Sequence, residues 1–392
     1  MRRATYNPRM AQFLDVCIRG SGVVGCTLAL LLARERLRVG LIEDTNPGAS
    51  HKPDVRAYAL NHASRAVLES LRCWPAPSAA TPVRRMQIFG DRSSELDFDA
   101  ASLGHSALAW IVDATELERQ LREAVRYQPQ IETLAAAAPA RLTVVCEGRT
   151  SQTREELGVD FDITPYPQQA LAARVTCLQA HEGIARQWFD RGDILAFLPT
   201  DGEDGNTVAI VWSLPPAKAG RLVQTSPEDF CRELQAASQQ ALGELSLSSE
   251  RALWPLQKAH ARQWTGRNSS GAWALAGDAA HNVHPLAGQG LNLGLADIAE
   301  LARLISGRES WRSVDDARLL RHYERGRKAG MFMMDTGLDG LQLFFSQDPN
   351  AWGGLRRFGL NCMDRAGPLK MWLARQAMGL SHAIPTPLKH SP

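Results

Sequence analysis

One segment near residue 280 holds the residue types best suited to chemistry. Residues 277–294 read Gly-Asp-Ala-Ala-His-Asn-Val-His-Pro-Leu-Ala-Gly-Gln-Gly-Leu-Asn-Leu-Gly and follow an apolar run over 272–276. This order predicts a strand that carries one carboxylate, Asp278, at its tip, followed by a glycine-rich loop and the start of a helix. A carboxylate accepts hydrogen bonds from hydroxyl groups, and glycine lets the backbone approach a flat ring closely. The segment therefore predicts a site for a ligand that has hydroxyl groups and a planar ring.

A second glycine cluster lies near the start of the chain. Residues 20–25, Gly-Ser-Gly-Val-Val-Gly, follow a short apolar run and open an apolar helix. Gly20 permits a tight turn, Gly22 lets the backbone reach a pyrophosphate at the helix N-terminus, and Gly25 allows close packing of helix on strand. Glu43 ends the next predicted strand, eighteen residues after Gly25, where an acid accepts from an unphosphorylated ribose, as in FAD or NAD. The alternative is a loop with a surface glutamate, but the flanking strand and helix favour a nucleotide site.

A third motif, Asp-Val-Arg-Ala-Tyr-Ala-Leu, covers residues 54–60. Its Arg56 is a planar charged donor suited to a flavin or its phosphates. A capped helix with a solvent-exposed arginine is the alternative. The presence of the other two motifs favours the cofactor interpretation.

Together the motifs resemble those of the single-component FAD-dependent aromatic hydroxylases. The wording of residues 284–294 is similar to the ubiquinone-biosynthesis hydroxylase branch of that family, and the resemblance extends from about residue 13 to 380. It implies an α/β fold, with a Rossmann-like FAD-binding domain, an inserted β-sheet substrate domain and a helical C-terminal end. Asp278 would hold the ribityl hydroxyls, and the helix that begins near Leu291 would stabilise negative charge on the reduced flavin. The expected cofactor-binding residues are Gly20, Ser21, Gly22, Val24, Gly25, Glu43, Arg56, Gly277, Asp278, Pro285, Gly288, Gln289, Gly290, Leu291 and Asn292.

The resemblance also implies an activity. A member of this family uses NADPH or NADH and O₂ to hydroxylate the aromatic ring of a polyprenylated phenol in ubiquinone biosynthesis. The cofactor carries the difficult chemistry, so no protein nucleophile or general base is assigned. Two other functions remain open. One is a non-catalytic flavoprotein or scaffold of a quinone-biosynthesis assembly, and the other is an FAD reductase or oxidase that inserts no oxygen.

Three features depart from the family pattern. Cys146-Glu147-Gly148 stands where the family has an Asp-Gly motif, so the charge is kept but the side chain is one methylene longer. Residues 127–141, which include Ala-Ala-Ala-Ala-Pro at 135–139, are short where the family has a strand-rich excursion. Trp110 takes a position that is more often polar or a smaller aromatic residue. The first two departures motivate the scaffold alternative.

The order of elements predicts a discontinuous first domain. The apolar runs between 166 and 213 are separated by turn residues and predict a meandering sheet, and a helix is expected over 227–242. The expected parts are an FAD-binding domain at 12–80, 106–157 and 259–320, a substrate domain at 81–105 and 158–258, and a C-terminal helical region at 321–392.

Composition limits the other possibilities. A net charge of +2 over 392 residues gives no reason to expect a nucleic-acid partner. Seven cysteines with no Cys-x-x-Cys pair favour a reducing compartment over a disulfide framework or a zinc site. His281 and His284 lie three residues apart without a third ligand at metal spacing, so no metal is expected, and loop packing or a substrate contact is favoured for them.

No apolar run is long enough to span a membrane, so a cytoplasmic protein is expected. A lipophilic substrate leaves open a peripheral contact with the inner membrane, a contact with a ubiquinone-biosynthesis complex, and a homo-oligomer. An apolar cluster between Met331 and Phe345 is expected to pack on the FAD-binding domain, with a prenyl tail, a membrane surface or another subunit as alternatives. Residues 1–11 are expected to be a frayed arm, and Met10 is an alternative start.

Overall fold

The computed structural model describes residues 13–43, 55–90, 95–202, 204–282 and 290–346, and for residues 95 and 332–346 it describes the backbone alone. The predictions for Pro285, Gly288, Gln289 and His284 lie outside the described residues. So do the predictions for the N-terminal arm and for residues after 346, and the side chains after Met331 are not described.

The helices and strands are as follows. In chain order the helices are α1 Val23–Arg34, α2 His62–Ser70, α3 Ala114–Arg126, α4 Gln152–Glu156, α5 Pro216–Gln224, α6 Pro227–Ala237, α7 Gly290–Ser306 and α8 Ala317–Ser346. The strands are β1 Leu14–Arg19, β2 Val39–Ile42, β3 Ala57–Leu60, β4 Ala80–Val83, β5 Arg85–Phe89, β6 Glu95–Asp99, β7 Ala109–Asp113, β8 Ile131–Leu134, β9 Ala140–Val145, β10 Phe161–Cys177, β11 Ile184–Asp190, β12 Asp193–Thr200, β13 Thr207–Leu214, β14 Leu245–Leu247, β15 Ala252–Ala261, β16 Thr265–Asn268, β17 Gly271–Leu275 and β18 His281–Asn282.

A six-stranded sheet forms the centre of the first domain. Its order is β16-β17-β9-β1-β2-β8, and all pairs except β16–β17 are parallel. Apolar residues on one face of β1, Val16 and Ile18, are fully buried in a cluster that includes Leu28 of α1 and Leu117 of α3. The strand-helix-strand unit expected from the sequence is confirmed. It places the ends of β1, β2 and β17 at one edge of the sheet.

A short connection from β8 to β9 crosses the face of this sheet that lies opposite α1 and α3. Leu134 at the end of β8 is level with Arg19, whereas Ala140 at the start of β9 is level with Leu14. In a flat sheet the link would span five residues of rise and three strand spacings, a diagonal of about 21 Å. Six Cα-to-Cα steps reach about 20–22 Å at most, and the chain bends at Ala135 and Ala136, so residues 135–139 form a short strap with few residues to spare. Ala138 packs against the cluster of Leu14, Cys17 and Ala140 on this face, whereas residues 135–137 are exposed.

A nine-stranded sheet forms the second unit. Its main path is β18-β15-β10-β13-β12-β11-β5-β6, and β14 pairs with β10. The predicted meander is confirmed, since β11, β12 and β13 are successive antiparallel neighbours. One face buries Phe197 and Trp212 against Leu222 of α5 and Phe230 of α6. Helix α6 ends at Ala237, earlier than the sequence predicted, because Gln239 and Gln240 adopt positive φ.

A small sheet and the last helix complete the described fold. The order β3-β7-β4 puts Ile111 of β7 in a cluster with Ala185 and Leu198 of the larger sheet. Helix α8 buries Leu320 and Tyr323 in the core of the first domain. No helix of the described part is long and apolar enough to cross a membrane. The exact domain boundaries remain a prediction.

Candidate functional site

The N-terminus of α1 is open to a ligand. Gly20 has φ +108°, and a Cβ there would lie 2.4 Å from the Cys146 carbonyl oxygen. A Cβ at Gly25 would lie 1.9 Å from the Gly20 carbonyl oxygen, so both positions require glycine. Gly22 is the N-cap, and a Cβ there would meet nothing within 4 Å. Within the described ranges no side chain caps the helix, which leaves its first N–H groups and its positive dipole end available to an anion.

The two glycine motifs, more than 250 residues apart in sequence, are adjacent in the fold. Val24 of α1 reaches both Gly277 and Gly294: Cβ atoms at these glycines would lie 3.3 Å and 2.9 Å from its Cγ2. Ser21 lies in the same turn, and its carbonyl oxygen accepts a hydrogen bond from the Cys26 thiol at 3.1 Å. Because α1, α7 and the end of β17 approach one another closely, both motifs lie at the same edge of the sheet.

Asp278 lies in a single 3-10 turn, Gly277–Ala279, directly after β17. Burial raises the pKa of its carboxyl group, although the charges of His281, Arg149 and Arg56 oppose that effect. Among the described residues, no side chain or backbone group donates a hydrogen bond to this carboxylate. A Cβ at Gly290 would lie 4.0 Å from its Oδ1. Asp278 is thus a half-buried acceptor near the N-terminus of α7.

The described part of helix α7 begins at Gly290, close to the start near Leu291 that the sequence predicted, and Leu291 is half-buried against the first-domain core. The amide of Asn292 is engaged within the protein. Its Oδ1 accepts from the Asn61 backbone N–H at 3.0 Å and from the Ser64 hydroxyl at 2.7 Å, and its Nδ2 donates to the Ala59 carbonyl at 2.8 Å. Asn292 therefore joins α7 to the end of β3. Its expected contact with a cofactor remains a prediction for the backbone N–H alone.

Glu43 and Arg56 lie on the exposed side of the site. Glu43 follows β2, and its backbone N–H donates to the Leu134 carbonyl at 3.1 Å. Arg56 precedes β3, is half-exposed, and pairs with Glu118 of α3 at 3.5 Å. Its charge acts on Asp278, which brings the second sequence motif to the same site as the first and third.

Glu147, the departure from the family motif, has a defined structural role. Its carboxylate accepts from the Ser151 hydroxyl at 2.8 Å, from the Thr153 backbone N–H at 3.0 Å and from the Thr153 hydroxyl, and it pairs with Arg19 at 3.1 Å. Burial opposes ionisation, but these hydrogen bonds outweigh it and hold the pKa of Glu147 below its ordinary value. The longer side chain thus reaches the N-terminus of α4.

Two residues that sequence reasoning did not select contribute to the site. Arg154 is buried, donates to the Ala279 carbonyl at 3.2 Å, and lies 3.6 Å from the centre of the Phe161 ring. Asp297 is fully buried on α7 and accepts from the Gly277 backbone N–H at 2.9 Å. A single aspartate within the apolar stretch Leu295 to Leu301 was the available signal, because a buried charge needs a partner.

The remaining sequence features are accounted for by packing. His281 is buried against Trp264, which favours loop packing over a substrate contact. Trp110 is buried edge-on against His62 and Trp74. Burial raises the pKa of the Cys146 thiol, so it is protonated and a poor nucleophile. No cluster of three metal-ligating side chains occurs in the described ranges.

Comparisons with known proteins identify the type of site. The family model described as FAD binding domain matches residues 135–331. The 3-demethoxyubiquinol 3-hydroxylase of Escherichia coli is 30% identical, with 93% of this chain and 98% of that protein aligned. Ubiquinone hydroxylase UbiL of Rhodospirillum rubrum is 29% identical, with 95% of this chain and 91% of that protein aligned.

Solved structures share the fold at lower identity. PqsL of Pseudomonas aeruginosa, in complex with 2-aminobenzoylacetate, is 22% identical with a TM-score of 0.70, covering 86% of this chain and 97% of that one. The p-nitrophenol 4-monooxygenase PnpA of Pseudomonas putida is 18% identical with a TM-score of 0.69, covering 93% and 96%. The residues described above suit FAD, because an uncapped helix N-terminus fits a pyrophosphate and a half-buried carboxylate fits hydroxyl donors.

Proposed function

Because the chain belongs to the ubiquinone-biosynthesis hydroxylases, a branch of the FAD-dependent aromatic hydroxylases, we propose that it hydroxylates the aromatic ring of a polyprenylated phenol. NADPH or NADH supplies the electrons, O₂ supplies the oxygen, and bound FAD provides the redox chemistry. The single observation that carries the proposal is the edge at which α1, Asp278 and the start of α7 meet, since Val24 contacts both Gly277 and Gly294.

The protein's own groups have separate tasks in this proposal. The free N–H groups at Gly22 and Val23 bind the pyrophosphate, and Glu43 accepts from the adenosine ribose. Asp278 accepts from the ribityl hydroxyls, which supply the donors that its carboxylate lacks within the described protein. The N-terminus of α7 faces the ring, where its positive end stabilises the negative charge that reduction introduces.

The substrate is proposed to lie on one face of the nine-stranded sheet. Ala172, Ala196, Val211 and Ala252 form one row across β10, β12, β13 and β15, on the face opposite the α5 and α6 helices. The adjacent row includes Arg174, which donates to Asp113 at 2.5 Å and to the Arg56 carbonyl at 3.3 Å. This face is thus turned toward the cofactor motifs. Its small apolar side chains leave room for a ring and exclude water from it.

The test is an oxygen-labelling experiment on the purified full chain. The FAD-loaded protein is mixed with ¹⁸O₂, a short-chain prenylphenol and either NADPH or NADH. We expect flavin bleaching and one ¹⁸O atom in the ring of the product. Bound FAD that neither nucleotide reduces would support the scaffold alternative. Reduced flavin without ¹⁸O in the organic product would support a reductase or oxidase.

Access to such a substrate is the finer part of the proposal. A polyprenylated phenol partitions into a bilayer, so we expect a peripheral contact with the membrane or with another protein of the pathway. Co-sedimentation with liposomes that do or do not contain the prenylphenol tests the first route. The membrane route would be contradicted if neither kind of liposome increased the amount of protein that pellets.

A further inference from the structure

Asp297 is bound by three different parts of the chain. Its Oδ2 accepts from the Gly277 backbone N–H at 2.9 Å and from His281 Nε2 at 2.6 Å, and its Oδ1 accepts from Arg327 Nε at 2.7 Å. Asp297 is 0% exposed, and His281 is 2% exposed. The side chain therefore joins the turn that carries Asp278, the short strand β18 that follows it, and helix α8.

Helix α8 is hydrogen-bonded near the same turn at a second point. Tyr323, one helical turn before Arg327, donates its hydroxyl to the Leu275 carbonyl at 2.8 Å. Leu275 is the last residue of β17, three residues before Asp278. Arg327 also donates to the Leu293 carbonyl on α7 at 3.4 Å. The described part of α8 thus supports both the Gly277–Ala279 turn and helix α7.

The arrangement of charges explains why Asp297 must stay in place. Burial disfavours its ionised form, but His281 and Arg327 outweigh that effect and lower the pKa of Asp297. A buried charge is costly unless it is hydrogen-bonded, and hydrogen bonds to a charged group are strong. The ionised carboxylate therefore fixes the direction of the Gly277 N–H. Trp264 stacks on His281 with ring centres 5.0 Å apart, which restrains the imidazole in turn. The proposed function uses no side chain of this network as a ligand contact.

We propose that Asp297 is a positioning residue for the cofactor: it holds the Gly277–Asp278 turn against α8 so that the Asp278 carboxylate points toward the ribityl chain. This inference rests on the proposed function, since it assumes that Asp278 binds FAD. It assigns to Arg327 the task of anchoring Asp297, and it makes α8 part of the cofactor site without any contact between α8 and the cofactor.

A double-mutant cycle tests the proposal. The FAD dissociation constant is measured from flavin fluorescence on dilution of the FAD-saturated full chain, for the parent, Asp297→Asn, Asp278→Ala and the double variant. We expect Asp297→Asn to weaken FAD binding about 10–100-fold, the range found for residues that orient metal ligands, because Asp297 acts on Asp278 in the same indirect way. In the Asp278→Ala background the same substitution should have no further effect, because the side chain it orients is absent.

Other variants separate positioning from general destabilisation. Asp315→Asn removes a carboxylate that pairs with Arg267 at 2.5 Å, away from the turn, and should leave the FAD dissociation constant unchanged. Arg327→Lys, which keeps the positive charge, should retain more affinity than Arg327→Gln. Should Asp297→Asn fail to fold, Asp297→Asn/Arg327→Gln leaves no unpaired charge and enters the cycle in its place.

The outcomes are distinguishable. Equal losses from Asp297→Asn in both backgrounds would overturn the proposal, since Asp297 would then act independently of Asp278. An unchanged dissociation constant for Asp297→Asn would overturn it as well. Normal FAD affinity in Asp278→Ala would instead contradict the proposed role of Asp278, whatever Asp297 does.

Discussion

At the scale of single residues, two neighbouring glycines serve different purposes. We expect Gly20→Ala to destabilise the protein by about 1–3 kcal/mol, because φ is +108° and the new Cβ would collide with the Cys146 carbonyl. Gly22→Ala should cost far less stability, since no atom lies within 4 Å of its Cβ position, yet it should weaken FAD binding by occupying the space above α1. Urea denaturation and FAD titration of both variants check this. The prediction would be contradicted if the two variants were equally stable and also bound FAD with similar affinity.

Asp278 should make stability depend on pH in a particular direction. Burial raises the pKa of this carboxyl group, so its contribution to stability is present below the unfolded pKa of about 3.9 and is lost as pH rises through the folded pKa. In the FAD-free protein, Asp278→Asn should therefore become more stable relative to the parent as pH rises from 3.5 to 7. Urea denaturation across that range measures the difference. A difference that is constant with pH would show that Asp278 is not desolvated.

Residue types predicted which glycines and which strand tip need special backbone geometry better than they predicted the contacts of individual side chains. Gly20, Gly25 and Asp278 were recognisable because a turn, a close approach and a strand tip each demand one residue type. Asn292 was also selected, but its amide binds Asn61, Ser64 and Ala59. That outcome depends on a partner some 230 residues away, which local spacing does not reveal.

At the scale of elements, the strap over 135–139 is short, and shortening or lengthening it should have unequal effects. Deleting Ala136 leaves five Cα steps, about 16–18 Å, for a diagonal of about 21 Å, so β8 should separate from β2. Inserting one glycine at the same point should be tolerated, because extra loop length costs well under 1 kcal/mol. Hydrogen exchange of the amides in 131–134 and the melting temperature distinguish the two variants. Equal protection in both would contradict the geometry.

The strap also explains a departure that the sequence could only flag. The short segment suggested a trimmed domain, and the register of β8, β1 and β9 shows how five residues suffice. Of the four alanines, only Ala138 packs on the sheet, against the cluster that includes Cys17, whereas Ala135, Ala136 and Ala137 are exposed. Because the strap begins one residue after Leu134, which bonds the Glu43 backbone, the shortened connection still supports the proposed ribose-binding strand end.

Glu147 makes the second element-scale prediction. Glu147→Asp restores the family residue, but the shorter side chain loses its hold on the N-terminus of α4, so we expect a loss of stability of about 1 kcal/mol. The pKa of Glu147 is lowered, so its stabilising contribution is present above the unfolded pKa of about 4.3 and is lost as pH falls through the folded pKa. Glu147→Gln should remove that part of the acid sensitivity. Urea denaturation at pH 7 and pH 3 measures both effects, and a Glu147→Asp variant as stable as the parent would contradict the capping role.

At the scale of the whole molecule, the sequence predicted the layers but not how they meet. Alternation of apolar residues predicted the meander of β11, β12 and β13, and glycine motifs predicted the parallel unit. The contacts between layers depend on long-range pairs. The bond from Arg174 on the large sheet to Asp113, which caps α3 of the first domain, is one of them. These two residues are 61 apart in sequence and no local pattern pairs them, so the orientation of the proposed substrate face toward the proposed cofactor edge required the structure.

That orientation leads to a prediction about catalysis without cofactor loss. Val211 lies between Ala172 and Ala196 on the face proposed for the substrate, whereas its neighbour Trp212 is 2% exposed among the core residues under α5. Val211→Trp should fill the small-residue row and lower kcat/KM for a prenylphenol by about 100-fold, a loss of about 2.7 kcal/mol in transition-state stabilisation. FAD affinity should not change, because the row does not include a cofactor residue.

Steady-state oxygen consumption and FAD titration measure the two effects. Trp212→Phe, a change on the opposite face, serves as the control and should keep kcat/KM. A Val211→Trp variant with normal kcat/KM would remove this face from the substrate site, while one that loses FAD would place the row against the flavin itself.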